Sequence, residues 1–133
     1  MNKTILVVDD EKDIVLMLAG ALRRAGFLVL EAVNGIDALA LLEHASCDLV
    51  LSDFQMPDIN GLELAQRILS GRPNLPVILM SGNLSVRETI RERGFDCIQK
   101  PFLLPDLIQQ IKERISSDSS GPRDCLTEST ISG

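Results

Sequence analysis

The chain has 133 residues, enough for one domain with a real core and hardly for two. Apolar residues make up 45% of it, a folded rather than a disordered composition, and with four Phe, no Tyr and no Trp the core is expected to be aliphatic. A net charge of −6 without a basic stripe argues against gripping nucleic acid by its phosphates, and no apolar run reaches bilayer-spanning length.

Residues 4–9 read as a buried strand, apolar on both faces. With one Lys and only the four-residue apolar run 5–8 before Asp9, no secretory leader is expected. A helix is predicted over residues 11–25, with Ile14, Met17, Leu18, Ala21, Leu22 and Ala25 on one stripe and Gly26 as its stop. Residues 27–31 form a second strand, Asn34 and Gly35 a turn, and 36–44 a second helix turning Ile36, Leu39 and Leu42 inward. The third strand is 48–53. After the loop punctuated by Pro57 and Gly61, a helix over 62–70 buries Leu62, Ala65, Ile68 and Leu69. The fourth strand is 77–80, with Pro76 at its start, where no ladder bond is lost at the centre. A short polar helix, 85–93, offers only Val86 and Ile90 to a core and is expected to be the least firmly held. Gly94 closes it. A fifth strand follows to Gln99, and a last helix carries Leu104, Leu107, Ile108, Ile111 and Ile115 on one face. From Ser116 the pattern collapses into Ser, Thr, Gly and Asp. The domain is therefore placed at 1–115, and 116–133 is expected to be a disordered tail or the start of a linker.

Five strand–helix units predict a parallel sheet in a three-layer α/β sandwich, with helices on both faces and a strand order that reverses somewhere. Ligands bind such sheets at the carboxyl ends of the strands. Four of these strands end on polar residues there: Asp9 and Asp10, Asp53, Ser81, and Lys100 with Pro101. Three carboxylates, a hydroxyl and an ammonium make a site for a divalent cation and a phosphoryl group.

Val7-Val8-Asp9-Asp10-Glu11, Asp53-Phe54-Gln55-Met56-Pro57 with Gly61, Met80-Ser81-Gly82 and Lys100-Pro101-Phe102 together resemble the receiver domain of two-component response regulators, over residues 3–115. The resemblance, to a chemotaxis-regulator-like domain, implies a flavodoxin-like fold with strand order 2-1-3-4-5. It implies that Asp53 accepts a phosphoryl group from a sensor histidine kinase, a phosphotransfer protein or a small acyl phosphate. By position, Asp10 and Asp53 would ligate Mg²⁺ directly, Asp9 through water, and Gln55 through its backbone carbonyl. Ser81 and Lys100 would contact the phosphoryl oxygens, and the Lys100–Pro101 bond would be cis. Gln55 and Asn83 stand at positions that tune hydrolysis in the family.

Elementary chemistry agrees with these roles. Clustered carboxylates repel one another, a hard cation with an all-oxygen shell relieves that, and an ammonium can follow a phosphoryl group as a mobile point charge. Phosphorylation adds up to about two negative charges and three acceptors at Asp53, enough to bias a two-state domain. One position departs from the family pattern: Cys97 stands where an aromatic usually swings inward. Readout is therefore expected to rest on the Ser81 loop and the fourth helix. The partner face implied is helix 4–strand 5–helix 5, made locally basic by Arg87, Arg91 and Arg93.

Each residue alone has an ordinary explanation. Asp9 and Asp10 could cap a helix, Asp53 could serve a turn, Ser81 could cap the next helix, and Lys100 could be a solvated strand end. Asp48 and Asp58 are read as turn and cap residues, His44 as a surface residue near a helix end, and Cys47 and Cys97 as small buried hydrophobes. With Cys125 the cysteines are odd in number and lack metal or disulfide-framework spacing, so a cytoplasmic location is expected. The leading function is a phosphorylation-switched receiver, not an enzyme beyond its own phosphorylation and dephosphorylation, signalling to a protein partner or to an output domain outside this sequence. The rivals are a pseudo-receiver docking module and a Mg²⁺-dependent phosphohydrolase. The second of these would want an acid where Gln55 stands.

Overall fold

A computed structural model describes residues 2–119. Among them, five strands and five helices alternate: β1 (Thr4–Val8), α1 (Lys12–Arg24), β2 (Leu28–Ala32), α2 (Gly35–His44), β3 (Leu49–Asp53), α3 (Gly61–Gly71), β4 (Val77–Ser81), α4 (Leu84–Glu92), β5 (Asp96–Gln99) and α5 (Leu104–Ser119). All pairings are parallel, in the order β2-β1-β3-β4-β5. This is the flavodoxin-like arrangement expected, and the order reverses between β1 and β3.

Alternation along the strands sorts the core into two halves. Leu6, Val8, Val50, Val77, Leu79 and Cys97 face α2, α3 and α4, while Ile5, Val7, Leu49, Leu51, Ile78, Met80 and Ile98 face α1 and α5. The three central strands are covered on both sides, which is why their sequences are almost continuously apolar. Ser52, a buried polar side chain among them, donates its hydroxyl to the Asp53 carbonyl at 2.9 Å.

The helix starts carry their own signals. Asn34, Asn60 and Asn83 are N-caps whose side chains accept the N–H of Asp37, Glu63 and Val86 respectively. Gly26 and Gly94, both at positive φ, follow the ends of α1 and α4 as predicted. α4 buries only Ile90 completely, with Val86 packed partly beneath it; α1 and α3 bury five residues each.

Several helix faces differ from expectation. Met17, Ile36 and Leu69 are 43%, 50% and 46% exposed, while Val15, Ala19, Ala38 and Leu64 are buried. These helices carry apolar residues on two adjacent rows, and contact with the sheet, not periodicity, selects between them. β2 is shifted one residue along, to Leu28–Ala32. α5 continues to Ser119, past the boundary expected at 115, because its last turn needs backbone hydrogen bonds rather than apolar residues, and no Gly or Pro stands between residue 115 and Gly121. The rest of the expected tail, 120–133, with Cys125, lies outside the described residues.

At the entry into α3 the backbone passes close against the end of β3. The Gly61 N–H donates to the Phe54 carbonyl at 2.6 Å. A Cβ on Gly61 would sit 2.6 Å from the Asp53 carbonyl oxygen and 2.9 Å from the Phe54 Cα. Both are backbone atoms that cannot turn aside. Gly61→Ala is therefore expected to destabilise the domain by about 1–3 kcal/mol, read as a lower urea midpoint at unchanged m-value.

Candidate functional site

Strand register places the candidate residues abreast. Val8 pairs with Ser52, so the next residues along, Asp9 and Asp53, lie side by side at the β1–β3 reversal. Asp53 pairs with Met80, which brings Ser81 one step beyond, and Ser81 pairs with Gln99, which brings Lys100 one step beyond that. The Lys100 N–H donates to the Ser81 carbonyl at 3.0 Å and extends this ladder past the last paired residues.

The side chains meet accordingly. Carboxylate oxygens of Asp9, Asp10 and Asp53 all lie within 4.8 Å of one another. The Lys100 Nζ stands 2.9 Å from Asp53 Oδ1 and 4.0 Å from Asp9 Oδ2. Asp9 is fully buried. Its Oδ1 accepts the Glu11 N–H at 2.9 Å, and its Oδ2 is out of solvent with no hydrogen-bond partner. Burial pushes the Asp9 carboxyl up to about 6, with the Asp53 and Asp10 charges acting the same way, against the Glu11 N–H and the Lys100 ammonium. Burial alone would lower the Lys100 ammonium, but the hydrogen bond and charge of Asp53, then Asp9 and Glu11, outweigh it and raise its pKa.

Above this floor lies a cleft of about 610 Å³. Asp10, Asp53, Gln55, Ser81, Asn83 and Lys100 all line it, as the sequence suggested. Glu11 also lines it, a residue the sequence reading quoted in its motif without giving it a role. The third acid of the run after β1 was the signal. Ser81 Oγ accepts the Asn83 N–H at 3.1 Å, and its own proton has no acceptor among the described residues. Pro101 follows a cis Lys100 bond, as expected, but does not line the cleft. Neither does Cys97, which is buried on the α4 side of the sheet; burial pushes its thiol upward, against the Arg91 and Arg87 charges. His44 is exposed at the end of α2, and Cys47 is half-buried, its thiol pushed up to about 11 by burial.

A buried carboxylate oxygen that makes no hydrogen bond, together with two further carboxylates, forms an all-oxygen donor set. It fits a hard divalent cation such as Mg²⁺.

The family model for the response regulator receiver domain matches residues 5–112. The chain belongs to that family. It is 32% identical over 116 residues to the response regulator receiver protein CpdR of Brucella abortus, covering 85% of this chain and 97% of that protein. It is 40% identical over 124 residues to the DNA-binding transcriptional regulator NtrC of a Bradyrhizobium species, covering 86% of this chain and 26% of that protein. Along several such regulators the chain spans only 24% to 48% of their length. Among solved structures, a CheY-like receiver domain protein from Methanospirillum hungatei superposes with a TM-score of 0.84 at 30% identity, covering 90% of this chain and 98% of that one. This receiver domain is thus homologous to response regulators, which is consistent with phosphorylation-switched signalling and does not favour the docking-only alternative. No helix among its described residues is long and apolar enough to cross a membrane.

The Asp9 environment gives a pH-dependent expectation. Its folded-state pKa of about 6 lies above the ordinary 3.8, so the folded state holds the proton more tightly. Stability from this group is full below pH ~4 and is lost as pH rises through ~6. In chelator-treated protein, Asp9→Asn keeps the acceptor for Glu11 and removes the buried charge. It should raise stability by roughly 1–2 kcal/mol at pH 8 and by little at pH 4. Thermal melts across that range check both the sign and the window.

Proposed function

We propose that Asp53 accepts a phosphoryl group from a phosphohistidine on a sensor histidine kinase or phosphotransfer protein, and that the domain relays the event to a protein partner through α4. The observation that carries this reading is the Lys100 ammonium 2.9 Å from Asp53 Oδ1, at a floor of three convergent carboxylates that opens into a polar cleft. Asp10, Asp53 and the Gln55 carbonyl, with Asp9 through water, are the groups that would hold Mg²⁺. When bound, the ion supplies charge neutralisation for the carboxylates and the incoming phosphoryl oxygens.

The chain's own groups do the rest. An Asp53 carboxylate oxygen forms the new bond to phosphorus as the phosphorus–nitrogen bond to the donor histidine breaks, its electron pair leaving with the imidazole. Lys100 exchanges a carboxylate oxygen for a phosphoryl oxygen without leaving the site. Ser81 donates its free hydroxyl proton to another. Because Ser81 Oγ also holds the Asn83 N–H, and Asn83 caps α4 at Val86, a pull on Ser81 is passed to the start of that helix. Cys97 lies under α4 and has no ring to rotate, so the helix itself carries the signal. The recipient meets the α4–β5–α5 face, where Arg87, Arg91 and Arg93 have no carboxylate partner among the described residues.

Hydrolysis of an external phosphoester is disfavoured, because Gln55 cannot protonate a leaving group two residues after the nucleophile. The domain's chemistry is its own phosphorylation and dephosphorylation.

Incubation with Mg²⁺ and a small acyl phosphate should add one phosphoryl mass to the wild type and none to Asp53→Asn. Mass spectrometry reads this directly, and an unmodified wild type under every donor would overturn the reading. Cys97→Ala should keep both the phosphorylation and any phosphorylation-dependent partner capture. Loss of capture alone would return the readout to that position.

A further inference from the structure

Asp58 lies on the β3–α3 loop, outside the cleft and exposed to solvent. Its carboxylate nevertheless collects three backbone N–H groups. Oδ1 accepts from Gly35 at 3.2 Å and from Ile59 at 2.7 Å, and Oδ2 accepts from Ile36 at 2.8 Å. Gly35 and Ile36 are the first two residues of α2, more than twenty positions away in the chain. The next two donors of that helix go to Asn34: Asp37 N–H to its side chain and Ala38 N–H to its carbonyl. The N–H groups of Gly35, Ile36 and Asp37, which the helix itself leaves open, are thus satisfied, two of the three by a residue of a different loop. The Ile59 side chain seals the contact, since a Cβ on Gly35 would lie 2.4 Å from Ile59 Cγ1. Some push from burial notwithstanding, the N–H groups of Ile36, Ile59 and Gly35 hold the Asp58 carboxyl below its ordinary range.

The loop is fixed at its other end too, where the Gly61 N–H bonds the Phe54 carbonyl beside Asp53. Gln55 lies between the two ties. We infer that Asp58 is a positioning residue: by binding the start of α2 it fixes the loop that presents Gln55 beside Asp53. The inference rests on the reading that Asp53 is phosphorylated with the Gln55 carbonyl turned toward the cation. A loop held at one end only would have to order that carbonyl whenever the site fills, and preorganisation removes that penalty.

Asp58→Ala should raise the Mg²⁺ concentration for half-maximal phosphorylation by an acyl phosphate about 10-fold, leaving the rate at saturating Mg²⁺ little changed. Asp58→Asn keeps one carbonyl oxygen and should fall between the two, a rescue that also serves if the Ala variant folds poorly. In metal-free protein, amide exchange should quicken at Gln55 as well as at Gly35 and Ile36. A purely structural cap would quicken only the latter two and leave the Mg²⁺ dependence alone. A phosphorylated wild type with an unshifted Asp58→Ala curve overturns this inference alone, whereas a wild type that takes up no phosphoryl group overturns the reading of Asp53 and this inference with it.

Discussion

Parallel register forces like charges together here, and the rest of the structure is arranged around that repulsion. Asp9 and Asp53 are the first residues past a paired Val8 and Ser52, on strands buried throughout except for Thr4 at the start of β1. A slip by one residue would turn each strand's side chains to the opposite face, so the acids cannot separate without undoing the core. Two unit charges ~4 Å apart at a partly buried site repel by about 4 kcal/mol. The Lys100 ammonium, delivered by the neighbouring strand end, offsets part of this, and the orphaned Asp9 oxygen shows what it leaves unmet. The hydrophobic core thus stores an electrostatic imbalance at one edge, and that imbalance makes the edge responsive to charge.

Much of this was legible in the sequence because two separate signals coincide. Buried parallel strands announce themselves as short apolar runs, and four of the five strands here stop on a chemically distinctive residue. Two helix ends were marked by Gly26 and Gly94, while Asn34, Asn60 and Asn83 emerged as helix caps only in the structure. What stayed illegible depends on how elements lie against each other. Met17, Ile36 and Leu69 belong to apolar stripes as well as Val15 and Leu64 do, and only the tilt of each helix on the sheet decides which row is covered. α5 outran its apolar pattern because a helix can end a turn after its last buried residue. Asp58 is a cap residue, as read, but the helix it caps is α2, and nothing local to the chain points across that gap.

Backbone groups tie the loops around the cleft to one another. The Ser81 carbonyl takes the Lys100 N–H, the Ser81 hydroxyl takes the Asn83 N–H, and the Phe54 carbonyl takes the Gly61 N–H. Such bonds are short and directional, so a displacement at one is felt at the next rather than absorbed by soft contacts. Ser81 is the junction, since its carbonyl holds the β5 end and its hydroxyl holds the approach to α4.

α4 makes that junction consequential. Full burial of one aliphatic side chain contributes about 1.5–3 kcal/mol, and α4 has one such anchor in Ile90. Hydrogen bonds to charged groups are worth about 1.5–3 kcal/mol, the same scale. The leverage is therefore matched to the load. The same tug on α1 or α3, each moored by five buried residues, would be swallowed as elastic strain. The scarcity of apolar residues on α4 makes it the compliant edge of an otherwise stiff body.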